Sequence, residues 1–219
     1  MSEIRIPWQA TLDGPRSGAE NMAIDLEMFK TCNAPKVRIY SWKNKCISYG
    51  YAQKIDELIN MEKAKQDGWD IVKRPTGGGI VYHSTDEVTY CVVCPLQLLP
   101  KGLMGSYYYI SDIIVRALRS LGVEAKMGDR EPGPGNRDAD CGLRSTVYGT
   151  PQNELCFSNT REYEVTVDGK KLVGSAQKRG RHAMLQQGSV QFSGMCLENP
   201  PHFNEIASAL RDVFNMFSR

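Results

Sequence analysis

Seven cysteines stand at positions 32, 46, 91, 94, 141, 156 and 196, and a thiolate is a strong nucleophile near neutral pH. The number is odd and the spacing never repeats, so reduced thiols are expected rather than a disulfide framework. Cys91-x-x-Cys94 is the one close pair, a spacing that can hold zinc or do redox chemistry. It sits in Val88–Cys94, a β-branched and aromatic run that reads as a buried strand. Residues three apart on a strand face opposite sides, and no Cys or His partner lies nearby, so two packed free thiols are expected and no metal site. The second place for chemistry is Arg74-Pro75-Thr76-Gly77-Gly78-Gly79, between two strand-like segments. Three glycines in a row are costly to order. They mark either a tight bend or a wall where a ligand meets bare backbone and its N–H groups. Arg74 offers a charge-assisted contact to an anion, and His83 falls near the same edge. No Walker loop or dinucleotide fingerprint is spelled here.

These residues need elements to hold them. Met22, Leu26 and Phe29 predict an amphipathic helix over Glu20 to Lys30. Val37 to Trp42 and Lys45 to Tyr49 read as two strands of a hairpin, with Lys43-Asn44 as its turn. Lys54 to Gln66 reads as a helix ending near Gly68. Trp69 to Lys73 and Ile80 to His83 are strands that flank the glycine run. Ser106 to Leu121 carries the clearest apolar stripe (Ile110, Ile113, Ile114, Ala117, Leu118, Leu121), with Gly122 as a stop. Gly128 to Gly142 is a long glycine- and proline-bearing loop, of the kind that is usually functional. Tyr163 to Val167, Asp168-Gly169 and Lys170 to Ala176 spell a hairpin. A strand over Met184 to Phe192 and a helix over Phe203 to Phe217 follow. Hairpins mixed with a few long helices argue for an α+β fold with a mixed or antiparallel sheet. No linker-like shift divides residues 1–219, so one domain is expected.

Composition excludes several classes. At 41% hydrophobic and 24% charged, the 219 residues are ordinary globular material. A net charge of +2 is too balanced for nucleic acid or an anionic membrane as main partner. No apolar run approaches the roughly 18 residues of a membrane helix, and residues 1–7 hold no apolar signal core. A cytoplasmic location is the expectation.

Three blocks then stand in order. The first is Gly14-Pro15 through Asn21-Met22-Ala23-Ile24-Asp25. The second is Arg74 to His83, followed by Asp86-Glu87-Val88-Thr89-Tyr90, and the third is Asp168-Gly169-Lys170-Lys171-Leu172-Val173-Gly174-Ser175-Ala176-Gln177. Together they resemble the lipoate- and biotin-protein ligase superfamily over most of residues 8–192. The resemblance implies a class II synthetase-like domain. Its substrate tunnel would be roofed by the glycine run, and its chemistry would join a medium-chain acyl group to a protein lysine. It implies substrate contacts at Arg74, Thr76, Gly77, Gly78, Gly79, His83, Gly174, Ser175, Ala176 and Gly188.

The superfamily contains ATP-dependent ligases and cysteine-dependent acyltransferases. Cys156-Phe157 stands 15 residues ahead of Lys171, a placement similar to the octanoyltransferases of lipoate-ligase type. The resemblance therefore implies Cys156 as acyl carrier and Lys171 as its partner. Octanoyl-acyl carrier protein would be the donor. The acceptor would be a lysine on a lipoyl domain of a 2-oxoacid dehydrogenase or on the glycine cleavage H protein. Thioester exchange is near thermoneutral, so no ATP, Mg or other cofactor is implied. A lysine ammonium beside a thiol favours the thiolate, and backbone N–H groups at Gly77–Gly79 or Gly174 suit an oxyanion. Biotin ligases carry a glycine/arginine motif ahead of their lysine. Here Lys178-Arg179-Gly180-Arg181 follows Lys171, which sets that branch aside. Gln187 departs from the histidine usual in its segment, and glutamine copies one imidazole hydrogen bond without the charge. Only about 27 residues follow Phe192, so no accessory C-terminal domain is expected. The alternatives are an ATP-dependent lipoate ligase (with ATP and Mg), an amidotransferase between lipoyl-bearing proteins, and an inactive binding relic.

Overall fold

Nearly every position of two neighbouring strands is buried: β2 (Lys36–Tyr40) and β3 (Cys46–Tyr49). A strand buried on both faces belongs inside a sheet with neighbours on either side, and here each strand has its own. In the computed structural model, which describes residues 5–128, 148–151, 155–156, 161–192 and 199–217, β2 lies between β1 (Gln9–Leu12) and β6 (Val88–Pro95). β3 lies between β4 (Asp70–Lys73) and β5 (Val81–His83). The hairpin expected over Val37–Tyr49 is therefore overturned. Lys43-Asn44 is a passage from one sheet to another.

Among the described residues the larger sheet has seven strands. From β6 it continues through β10 (Ala183–Val190), β9 (Lys170–Arg179), β8 (Val165–Val167) and β7 (Lys126–Met127). All its pairs are antiparallel except β1 with β2. The smaller sheet runs β4-β3-β5. The hairpin expected around Asp168-Gly169 is present, with both residues at positive φ, 50° and 73°, as a tight two-residue hairpin turn requires.

Two helices cover one face of the large sheet. α3 (Gly102–Arg119) buries Ile110, Ile113, Ile114, Ala117 and Leu118. The last helix, α4 (Phe203–Met216), buries Ile206, Ala207, Leu210 and Phe214. They meet Cys94, Met184, Val190 and Tyr90 from the strands. On the opposite face lies α1 (Gly18–Lys30), started by a Ser17/Glu20 capping box. Met22 packs there with Tyr40, Trp42, Cys91, Val93 and Leu185. Cys91 and Cys94 thus belong to opposite faces, each packed as a small apolar group.

The helix expected over Lys54–Gln66 is two pieces, a 3₁₀ turn at Ile55–Glu57 and α2 (Met61–Gln66). Asn60 interrupts it by accepting a hydrogen bond from the Lys63 N–H at 3.0 Å, which starts a new helix. Of the loop expected over Gly128–Gly142, residues 129–142 lie outside the described residues, as do Cys141 and Cys196. No helix among the described residues is long and apolar enough to cross a membrane.

Candidate active site

On the α1 face, between the large and small sheets, lies a narrow cleft. Register makes its floor. Ala176 of β9 pairs with Gln187 of β10, and Gly174 pairs with Ser189. All four border the cleft, with Ser175, Gly188, Val81, His83, Arg74, Met22, Tyr40, Trp42, Thr89 and Cys156 around them. Of the residues expected at the site, the fold therefore gathers Cys156, Arg74, His83, Gly174, Ser175, Ala176 and Gly188 on one cavity. Thr76, Gly77, Gly78 and Gly79 do not line it. They form the strap behind Arg74.

Cys156 is fixed through its backbone. Its N–H donates to the Ile80 carbonyl at 2.9 Å, beside a parallel bridge of Leu155 to Ile80. The residue just past the glycine run thus positions the cysteine. Its Sγ is 4.0 Å from Lys171 Nζ, and that ammonium also donates to the Cys156 carbonyl oxygen at 2.5 Å. Lys171 is 3% exposed and forms an ion pair with buried Glu164, Nζ to Oε1 2.7 Å. The lysine is therefore held between a carboxylate and the cysteine. Glu164 is a site residue that the sequence did not single out. The remaining described thiols are held toward the protonated form by burial. Burial pushes Cys94 up to about 12, and raises Cys32, Cys46 and Cys91 as well. Among the described residues, no three His, Cys, Asp or Glu side chains come together as a metal site.

Arg74 corrects an expectation. Its Nη1 donates to Ser48 O and Ser48 Oγ, both at 2.8 Å, and its Nη2 donates to Gly77 O at 3.0 Å and Gly79 O at 2.7 Å. A guanidinium so engaged is a brace for the glycine run and has little left for an anion. Gly78 has φ +87°, a conformation that strains any residue with a Cβ. The run is bent to present carbonyls to Arg74, and it packs within reach of Ala176. Arg74→Lys keeps the charge but not the planar fork. It is expected to cost roughly 2–4 kcal/mol through carbonyls left unpaired, and to lower the melting temperature measured by circular dichroism. An unchanged melt would show that the brace carries no stability.

Behind Arg74 runs a buried chain of polar groups. Ser48 Oγ lies 2.6 Å from His83 Nε2, and His83 Nδ1 lies 2.6 Å from Glu87 Oε1. Glu87 also accepts from Thr89, Ser189 and Gln191. Trp42 stacks on His83 with centroids 4.1 Å apart and donates its indole N–H to Thr89 at 2.8 Å. His83 thus shows the cleft an aromatic wall, its two ring nitrogens being occupied within the protein.

A second web was missed in the sequence. Asp25, fully buried on α1, accepts from Arg38 at 2.9 Å, Tyr40 at 2.8 Å and Gln187 at 2.6 Å. Burial pushes its carboxyl above the ordinary carboxylate value, with Arg38 acting against that shift. Gln187 accepts from Thr76 Oγ1 at 2.8 Å. One glutamine therefore ties the glycine strap to α1, with donor and acceptor used as a neutral imidazole would use them. The available signal was Asn21 and Asp25, spaced i and i+4 beside Met22 on the inward stripe of a helix. Gly188 has a different reason to lack a side chain. A Cβ there would fall 2.1 Å from Tyr90 Cζ, on the core face of the sheet. Gly188→Ala is expected to destabilise by about 1–3 kcal/mol through overpacking. A denaturant midpoint equal to wild type would contradict it.

The sequence profile of the lipoyl protein ligase A/B catalytic domain matches residues 17–213. The octanoyltransferase LipM of Kyrpidia tusciae is 36% identical over 189 residues, covering 84% of this chain and 65% of that one. The octanoyltransferase LipM of Symbiobacterium thermophilum is 35% identical, covering 84% and 64%. The chain thus spans a little under two thirds of the length of these relatives. Among solved structures, lipoate-protein ligase A bound with ATP superposes with TM-score 0.70 at 18% identity, covering 97% of this chain and 85% of that one. A bipartite lipoate protein ligase from Thermoplasma acidophilum gives 0.69 at 17%, covering 97% and 84%. At that identity the likeness establishes the fold, an α+β catalytic domain of ligase type.

Proposed function

The chain belongs to the lipoyl protein ligase A/B catalytic domain family, and on that premise we propose that it is a protein-lysine acyltransferase working through a thioester on Cys156. The observation that carries this reading is the 4.0 Å approach of Cys156 Sγ to the Lys171 ammonium at the border of the cleft. The donor is an octanoyl thioester of acyl carrier protein, as the activity named for the LipM relatives suggests. The acceptor is a lysine on a lipoyl domain or on a glycine cleavage H protein.

In the first half-reaction the Cys156 thiolate adds to the donor's carbonyl carbon. The donor sulfur then leaves as a thiol with a proton from the Lys171 ammonium. In the second, a neutral acceptor amine adds to the Cys156 thioester and the C–S bond breaks, releasing the Cys156 thiolate. Neutral Lys171 takes the proton shed by nitrogen, which restores the ammonium that Glu164 holds. After Val173, β9 no longer has β8 beside it. We assign the backbone N–H of Ser175, which points away from β10 toward that open edge, to the oxyanion of both tetrahedral species. Because a thioester enters and an amide leaves, no nucleotide or metal is called for.

The test is intact mass spectrometry after incubation with octanoyl-acyl carrier protein and no ATP. A hydroxylamine-labile octanoyl adduct supports the reading. Acylation that appears only with free acid and ATP overturns it in favour of a ligase.

A further inference from the structure

We propose that Met22 is the partition that ends the acyl cleft, and that a groove on its far side is a latent extension able to take the tail of a longer saturated chain. The inference rests on the acyl-transfer reading and concerns how that site measures its substrate. The groove lies between α1 and the first residues of the glycine strap. It borders the same two side chains as the inner cleft, Met22 and Arg74. Ala23, Leu26, Pro75 and Tyr51 give it apolar walls, with Lys73 and Lys178 also on its border, and it is open enough that Tyr51 is 61% exposed.

Two facts place Met22 at the tail end. Lys171, beside the thiol, and Ala176 stand five residues apart on β9, so the thiol and Ala176 border different parts of the cleft floor. Gln187, the partner of Ala176 across the sheet, is the residue whose Nε2 lies 3.4 Å from Met22 Sδ. A chain esterified at Cys156 and running along this floor therefore points its tail at Met22.

The two shared walls differ in how firmly they stand. Arg74 is pinned by four hydrogen bonds of 2.7–3.0 Å. Met22 has one weak polar contact, from an amide that already donates to Asp25 at 2.6 Å. It is unbranched, with a side chain that repacks readily. Met22 is therefore the wall that can be moved, and its length sets the chain length accepted.

The experiment measures binding of free octanoic, decanoic, dodecanoic and tetradecanoic acids by calorimetry, with thioester formation from octanoyl-acyl carrier protein followed in parallel. Wild type is expected to bind octanoic acid best. Met22→Ala should move the optimum to dodecanoic acid, with the dodecanoic-to-octanoic affinity ratio rising at least about tenfold. Met22→Val, a smaller truncation, should move it in the same direction and serves if the alanine variant melts early. Met22→Ala combined with Ala23→Trp fills the groove and should restore the wild-type profile. A folded Met22→Ala or Met22→Val protein with the wild-type length profile overturns the proposal. So does a long-chain gain that survives Ala23→Trp, since the cleft would then merely be larger. A shifted profile without any octanoyl thioester on the wild-type protein would instead sink acyl transfer and leave the partition standing.

Discussion

Cys156→Ala is expected to abolish the octanoyl thioester and to lower transfer to an acceptor lysine by at least about 10³-fold. The size of the effect follows from what the other thiols can offer. Cys46, Cys91 and Cys94 are buried, and burial holds all three thiols above the ordinary cysteine value. Cys32 is raised for the same reason. None of these borders the cleft, so none can take over. Cys156→Ser keeps the geometry and exchanges sulfur for a poorer nucleophile and leaving group. It should acylate slowly and hold an oxygen ester long enough to be seen as a hydroxylamine-resistant adduct. Both variants remove a side chain that is not part of the core, so their melting temperatures should stay near wild type. A full-strength adduct on Cys156→Ala would end the thioester mechanism, whatever the fold.

Periodicity made much of this fold legible. The stripe from Ile110 to Leu118 could only be a helix against a sheet, and Asp168-Gly169 could only be a tight turn. It failed where strands are buried on both faces. β2 and β3 are adjacent in sequence and apolar nearly throughout, and nothing local says that each must sit inside a different sheet. The cut at Asn60 was a capping signal that lost to the apolar spacing of Ile55, Leu58 and Ile59. At the site, motif order pointed to Cys156 and Lys171, and the fold sets their side chains 4.0 Å apart. The partners of those residues were hidden for a physical reason. Arg74 finds its acceptors on Ser48, on another strand, and on the strap's own carbonyls. Glu87 is bound by groups from β5, β6 and beyond β10. Such webs are assembled by tertiary packing between distant segments, and one sequence read alone does not reveal which buried polar groups meet.

Lys171 is where that hidden partner changes the expected result. Were it a free ammonium beside a thiol, Lys171→Met would simply slow alkylation of Cys156. Glu164 alters this, because its carboxylate is 4% exposed and sits 2.7 Å from Lys171 Nζ. Removing the lysine alone strands a buried negative charge next to the nucleophile. That should cost about 3–5 kcal/mol of stability, and it would oppose thiolate formation beyond the loss of the ammonium. The single variant therefore mixes two effects, and Lys171→Met combined with Glu164→Gln separates them. The double variant should recover most of the melting temperature yet alkylate more slowly than wild type at neutral pH. Lys171→Arg keeps the charge and cannot surrender a proton. It should preserve alkylation while lowering transfer to the acceptor amine by roughly 10²–10⁴-fold, the usual range for a lost proton-transfer group. Lys170→Ala, one position along the strand, is the control. The measurements are iodoacetamide kinetics against pH and acceptor turnover for each protein. Alkylation curves for the double variant that overlay wild type would remove Lys171 from thiolate activation. Undiminished turnover by Lys171→Arg would remove it from the proton transfer.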